Sequence, residues 1–598
     1  MNKIIKRLLA STLAVGMTAC SSDYLEQPPI DLVSDDAIGN SVEGARAALY
    51  GICESMFISY DAGYTERFGN GEAYFQTFYG DAPSPDAAFT FLYGSQKEFQ
   101  AWAWMTRDTG NFSRYAWMYG YNIINQANVL LAAIDGVPGD PAEVKFIKAQ
   151  ALTMRAHGYI RLMQVYGPRY EDRDNGNALC LVLRTTPGSD PAPLVTYNEV
   201  MAQIYKDFED AIALYNESGK SRTKGFEPDI NVAKGLYSRI LLMNHDWAKA
   251  EQMAREAREG YPIMSAADYI AGFGTANSEW LWYNDYNKTY NGYNSWGASY
   301  SCNGAYATAY DWAGGGAISW KLYKEIFNRN QGDVRCELYW TPDKANLHVD
   351  YGFEEKDFWD SDVVYPERMN MFLVDPYMTA SIALWAMDIT PEGYDKTSML
   401  LDGYSIPDIV SAVTGGALEA PDAVNCQNPQ YVQTLASVFA GALGATRVQF
   451  GQQAKFWSDA AAMGDAQHPF LRAGELILTE AEAAAEQNKD DVAQNCLNEL
   501  NSNRMSNYTC SLTGDALKEE IRLYRRMELW GEGDSWFSFK RWNVTAKREI
   551  WKENDPTSNN FLPAYEGTYD PSYSNGWRYE IPKSEKDYNN IINSQLNK

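Results

Sequence analysis

Apolar residues recur every three or four positions along several stretches of the chain, a spacing that predicts helices with one buried face. Within 117–134, Ile123, Ala127, Leu130 and Ile134 share a face, and within 143–166 so do Ile147, Ala151, Met154 and Gly158. The run Gly136 to Pro141 interrupts the pattern, which predicts an antiparallel hairpin. Thr196 and Glu199 stand at capping-box spacing ahead of Val200, Ile204, Phe208, Ala211 and Tyr215. Val232 to Asn244 then leads through Asp246, a predicted N-cap, into a helix over 247–259 that Gly260 ends. A last set covers 470–487 and 491–504. Each pair leaves an apolar face uncovered, so the pairs must stack.

Small residues such as Gly235, Ala250, Ala254 and Ala257 permit close helix approach, as in tetratricopeptide pairs, although no constant period of about 34 residues is kept. The stretch 521–542, IRLYRRMELWGEGDSWFSFKRW, predicts two helices hinged at a Gly-containing turn. Ile521, Tyr524 and Met527 are at helical spacing, Gly531 suits a left-handed helix end, and Asp534 is placed to cap the second helix. Trp536, Phe537, Phe539 and Trp542 form a dense apolar load. Arg525 and Arg526 close to Glu528, with Lys540 and Arg541 after Asp534, predict a charge network across a packing corner.

The texture changes over 261–468. Aromatic, Gly and Asn residues crowd 280–312, where no helical period survives, and this predicts loop and short strand. A comparable region is 74–115, ahead of the first hairpin. Both are too aromatic for disorder, and long irregular segments in compact proteins are commonly functional. Exposed rings offer apolar faces to sugar C–H surfaces or peptide side chains, while Asn and Asp fix orientation. The candidates for stacking are Trp102, Trp104, Tyr293 and Trp296, with Asp81 and Asn294 as polar contacts. The plainer reading is that these rings pack the loops onto the helices.

At 598 residues, 45% hydrophobic and 14% aromatic, the chain can bury a large core. The 78 acidic against 51 basic residues give a net charge of −27, which opposes nucleic acid and anionic lipid as partners and favours solubility. Eight cysteines without a CxxC pair signal neither a disulfide framework nor a cysteine zinc site. His157 falls inside a helical pattern and reads as a core residue. The first residues combine Lys3, Lys6 and Arg7 with an apolar run from Leu8 and then Met17-Thr18-Ala19-Cys20, which is a signal peptide over 1–19. The cysteine resembles a lipobox acceptor, implying lipid attachment at Cys20 and a tether over 20–30, although Met17 stands where Leu is usual.

RRMELWGEGDSWFSFKRW closely resembles the C-terminal signature of the SusD/RagB-like surface lipoproteins of Bacteroidetes nutrient uptake. WMYGYNIINQAN from Trp117, AQALTMRAHGYIRLMQVYGPRY from Ala149, VAKGLYSRILLMNHDWAKAEQMA from Val232, PFLRAGELILTEAEA from Pro469 and GWRYEIPKSEKDYN from Gly576 are similar to further family segments in the family's order. The ending IINSQLNK departs from the NPGY-like family terminus. The resemblance implies a mostly α fold: a scaffold of four tetratricopeptide-like helix pairs with an irregular, loop-rich ligand-binding region, here one domain over 31–598 with helix pairs near 117–166, 197–260 and 470–542. It also implies an outward-facing, lipid-anchored outer-membrane protein. Its partner is then a SusC-like TonB-dependent transporter, its ligand an oligosaccharide or, in some members, a peptide, and it has neither cofactor nor catalytic chemistry.

The residues agree in carrying no GxSxG elbow, P-loop, HExxH, dinucleotide fingerprint or EF-type calcium loop. Two other classes stay open: a glycoside hydrolase using paired carboxylates whose separation no sequence reveals, and a periplasmic helical-repeat scaffold for another protein.

Overall fold

The computed structural model describes residues 39–56, 71–88, 102–284, 317–339, 455–456, 467–549, 559, 561 and 565–596; Cys20 and its tether lie outside the described residues. Helices dominate it. The longer ones are α1 (Val42–Glu54), α2 (Asn111–Ala133), α3 (Pro141–Tyr166), α4 (Tyr197–Ser218), α5 (Ile230–Met243) and α6 (Trp247–Ala257), then α7 (Trp320–Arg329), α8 (Ala473–Glu486), α9 (Asp490–Ser502), α10 (Gly514–Glu528) and α11 (Ser535–Trp542). From α2 to α6 each helix packs on the next, and α6 hands the stack across to α8, α9 and α10. The uncovered faces of the predicted pairs are closed in this way.

Local signals explain the boundaries. The capping box at α4 forms: Thr196 Oγ1 accepts from the Glu199 N–H and Glu199 Oε2 accepts from the Thr196 N–H at 2.8 Å. Gly219 ends the same helix with φ of 60°. The predicted hairpin is α2–α3, and it crosses closely at Gly120 and Gly158. A Cβ on Gly120 would strike Leu162, and one on Gly158 would meet Ile124, so the crossing requires glycine on both helices. Asp246 occupies the N-cap position of α6 without a side-chain capping bond.

Two expectations are corrected. Asp534 precedes α11 but does not cap it, because Arg525 claims its carboxylate at 2.6 and 2.9 Å and Ser538 Oγ donates to it as well. The region expected to be irregular also contains α7, an amphipathic turn sequence in which Leu322, Tyr323 and Ile326 face inward behind the N-cap Ser319. Ten residues suffice for that helix only because its apolar face meets α10.

The short strands form antiparallel pairs: β1 (Ala87–Ala88) with β5 (Ala317–Ile318), β2 (Leu179–Val182) with β3 (Leu194–Thr196), β4 (Trp280–Tyr283) with β6 (Pro469–Arg472), and β7 (Ala546–Arg548) with β8 (Gly567–Tyr569). Two apolar clusters fill the interior, one around α1–α6 and the rings of α11, the other around α7–α10 with Trp280 and Trp530. Cys53, Cys180, Cys336, Cys496 and Cys510 are buried in the core. His157 is a core residue, with Nε2 3.2 Å from Glu72 and its ring edge-on to Trp282. Among the described residues no helix is long and apolar enough to cross a membrane.

A buried charge network ties the corner together, but with partners other than the predicted ones: Arg525 pairs with Asp534 and Arg526 with Asp86, while Glu528 takes arginines from outside the stretch. Glu528 accepts from Arg504 at 2.8 and 3.0 Å, from Arg472 at 2.9 Å and from Arg335 at 3.3 Å. Glu532 accepts from Arg472 at 2.7 and 2.8 Å and from Lys455 at 2.7 Å, and Arg472 also reaches Glu279 at 2.6 Å. Burial alone would raise the Glu528 carboxyl, but Arg504 and Arg472 outweigh it and hold the group well below the usual range. Lys540 is buried too, donating to the carbonyls of Gln164 and Gly167, both at 2.9 Å, and so closing the C-terminal end of α3. Burial, with Arg578 and Arg169 nearby, pushes this lysine down to about 7.

Removing one partner from a buried ionic network leaves uncompensated charge, so Glu528→Gln is expected to lose about 3–5 kcal/mol of stability in urea unfolding. Lys540 gives a separate pH signature. The unfolded chain keeps this proton to about pH 10.4, whereas the folded protein releases it near 7. Its contribution to stability therefore rises as pH goes from about 7 to about 10, and Lys540→Met should flatten that part of the stability–pH curve.

Candidate ligand-binding site

The sequence candidates divide sharply. Trp102 and Asp81 are each only 2% exposed. Trp104 lies in the 3-10 turn Trp102–Thr106, and Tyr293, Asn294 and Trp296 lie outside the described residues. For Trp102 and Asp81 the expected ligand contact is corrected to a foundation role, since the rings and backbone of the C-terminal corner cover both. Trp102 stacks on Trp536 with centroids 5.8 Å apart, meets Tyr569 edge-on, and carries the Arg548 guanidinium 4.2 Å over its ring. Its indole N–H donates to the Pro83 carbonyl at 2.6 Å.

Asp81 ends a π-helical turn, Gln76–Asp81. Its Oδ2 accepts from the Gly533 N–H at 2.7 Å, while Oδ1 has no hydrogen-bond partner among the described residues. Burial raises this carboxyl well above its ordinary value against the lowering effect of that N–H, and the charge of Asp534 adds to the rise. The approach needs glycine on both sides, because a Cβ on Gly80 would enter the Gly533 backbone and one on Gly533, whose φ is 79°, would strike Gln76.

From Asp81 to Ala88 every residue is buried, although DAPSPDAA has the composition of an exposed turn. The segment stays inside because its polar groups are matched one after another. Arg548 donates to the carbonyls of Ala82 at 2.7 Å and Ser84 at 3.2 Å, and burial pushes that guanidinium down to about 9. The Asp86 carbonyl accepts from Trp530 Nε1 at 2.9 Å and from the Ser319 N–H at 2.8 Å. The Asp86 carboxylate accepts from Ser535 Oγ at 2.6 Å and from Arg526 through both of its oxygens. Asp86, Trp530 and Arg548 were not among the sequence candidates. No periodicity marks them, and Asp86 and Trp530 stand 444 residues apart in the chain, beyond the reach of any local pattern.

This buried segment pairs with the two residues that follow 285–316. Ala88 pairs with Ala317 and Ala87 with Ile318. The chain leaves for 89–101 at Ala88, and the 285–316 stretch returns at Ala317. The other end of that stretch is also tied here. The Asn284 N–H donates to the His468 carbonyl at 3.1 Å, the His468 N–H returns to Asn284 Oδ1, and His468 Nε2 lies 2.6 Å from Gln76 Oε1 in the π-helical turn. Residues far apart in the sequence are thus rooted on one floor.

A cavity of about 30 Å³ among α3, α5 and the 532–541 corner is lined by Arg161, Arg239, Glu475, Arg525 and Asp534. It is far below the few hundred Å³ of a small-molecule site and suits water. Among the described residues no group of three or more His, Cys, Asp or Glu side chains could hold a metal ion.

Comparison with known proteins gives a consistent picture. Residues 450–597 match a family model described as the SusD family, and residues 54–242 match one described as starch-binding associating with outer membrane. A SusD-like protein of Bacteroides ovatus is 25% identical over 247 residues, and the match spans 40% of either chain. A SusD-like carbohydrate binding protein from Bacteroides vulgatus superposes with a TM-score of 0.65 at 21% identity, covering 93% of this chain and 98% of its own. A SusD superfamily protein from Bacteroides thetaiotaomicron gives 0.63 at 18% identity, covering 92% and 99%. These solved structures share the fold.

Because Trp102 is packing and not a displayed platform, Trp102→Ala is expected to cost about 3–5 kcal/mol in urea unfolding. A ring displayed for a ligand would leave the unfolding midpoint nearly unchanged.

Proposed function

The chain belongs to the SusD/RagB-like family, and from that premise we propose that it is a surface nutrient-binding lipoprotein that captures an oligosaccharide for import. The carrying observation is the pairing of Ala88 with Ala317, which joins, on one buried segment, the residue before 89–101 and the residue after 285–316. Rings gathered from separate segments make a shallow platform for sugar C–H faces, and neighbouring amides orient the hydroxyls. Trp104, Tyr293 and Trp296 are the proposed stacking residues and Asn294 the proposed polar contact. The match to the starch-binding, outer-membrane-associated model and the likeness to a carbohydrate binding protein support a glycan as ligand and the outer membrane as location.

In this reading Cys20 carries the lipid anchor, the protein faces outward, and a SusC-like TonB-dependent transporter receives the cargo. The chain binds and delivers without chemistry of its own. The net charge of −27 keeps a cationic peptide as the second reading for the same platform.

Isothermal titration of the chain from residue 21 against a panel of oligosaccharides and short peptides tests this. Saturable binding to one glycan class, weakened at least tenfold by Trp296→Ala, is the expected result. Heat from peptides alone would change the cargo and keep the role, and silence across both panels would contradict it.

A further inference from the structure

The geometry points to Asp86 as the positioning residue that locks the shared root of the two aromatic stretches onto the 525–535 corner, an inference that rests on the reading of those stretches as the ligand platform. Asp86 is fully buried and immediately precedes β1. Five connections meet at this one residue. Its carboxylate takes Arg526 and Ser535 from either side of the turn between α10 and α11. Its carbonyl takes the Trp530 indole from that turn and also the Ser319 N–H, the residue that directly follows β5. Its own N–H donates to Ser84 Oγ at 3.1 Å.

Ser319 matters because it is the hinge between β5 and α7. Its side chain caps α7 by accepting from the Leu322 N–H at 3.3 Å, and Asn559 Nδ2 also donates to it at 3.3 Å. A two-residue strand pair cannot hold its own register, since an isolated pair of this length is marginal in water. The β1–β5 pair therefore depends on external pins. Asp86 supplies them for both strands at once, with its carbonyl on the residue after β5 and its carboxylate on the corner below β1. A charge-assisted carboxylate bridged by an arginine fork and a hydroxyl fixes orientation as well as distance. Replacing one of its oxygens by an amide turns an acceptor into a donor that faces Arg526 or Ser535, and the junction loses its anchor while the helix stack keeps its own contacts.

The test uses the full mature chain, with Asp86→Asn beside Leu497→Ala. Leu497 is a core residue in α9, which packs mainly on α8 and α10, and it serves as a control for general loss of stability. Amide hydrogen exchange reads the anchor without any ligand. The Ser319 amide of Asp86→Asn is expected to exchange at least tenfold faster than in wild type, with α2–α4 unchanged and with no such local effect in Leu497→Ala. Titration with the glycan class that wild type binds reads the consequence: at least a tenfold loss of affinity in Asp86→Asn and less than twofold in Leu497→Ala. Unchanged exchange at Ser319 would overturn the anchoring role. Faster exchange with unchanged affinity would overturn its importance for the ligand, as would equal loss of affinity in both variants. Wild-type protein that binds nothing in the glycan and peptide panels would overturn the ligand reading beneath the inference, and the exchange result would then decide the anchor alone.

Discussion

One buried carboxylate holds the architecture together. Glu528 ends α10 and accepts from Arg335, Arg472 and Arg504, which arrive from the turn after α7, from β6 and from the turn after α9. Elements distant in sequence are therefore fixed to a single point. Neighbouring Glu532, Glu279 and Asp333 balance the remaining charge of Arg472, Lys455 and Arg335. Such a network adds little net stability over a hydrophobic core of equal volume, because desolvation offsets most of the attraction. Its contribution is geometric: a bidentate arginine accepts few alternative arrangements, so the corner is specified more sharply than apolar packing alone would specify it.

From this corner the order passes to the buried segment 81–88. Arg525 binds Asp534 and sets the turn between α10 and α11. That turn presents Gly533 to Asp81, Trp530 and Arg526 to Asp86, and Trp536 to Trp102. Each partner belongs to the region before the first hairpin. The aromatic and charged residues of the signature thus work as a clamp on a segment that is polar in sequence and buried in structure. Its buried backbone groups find partners only because the corner brings them.

Helices were legible where the period of apolar positions is long and flanked by stop signals. The α2–α3 hairpin and the capping box of α4 arise from such patterns, whereas the charges of 525–541 find partners that no local pattern shows. The failures share one cause, which is pairing beyond the local window. Asp534 looks like a helix cap because capping is local, yet it is taken by Arg525 from the preceding helix. Trp102 and Asp81 look displayed because they sit in an aperiodic stretch, yet rings and amides from the C-terminal corner enclose them. Trp104, Tyr293, Asn294 and Trp296 are the contacts proposed here, and what the structure adds is the pairing at Ala317 to which the 285–316 stretch returns.

If two separate aromatic stretches act as one platform, a single ligand must cover both. Hydrogen exchange of the mature protein with and without its saturating oligosaccharide tests this most directly. The prediction is simultaneous protection of peptides covering 89–104 and 285–316, with the helix stack α2–α6 unaltered. Protection confined to one stretch, or arising instead on the helices, would contradict the account.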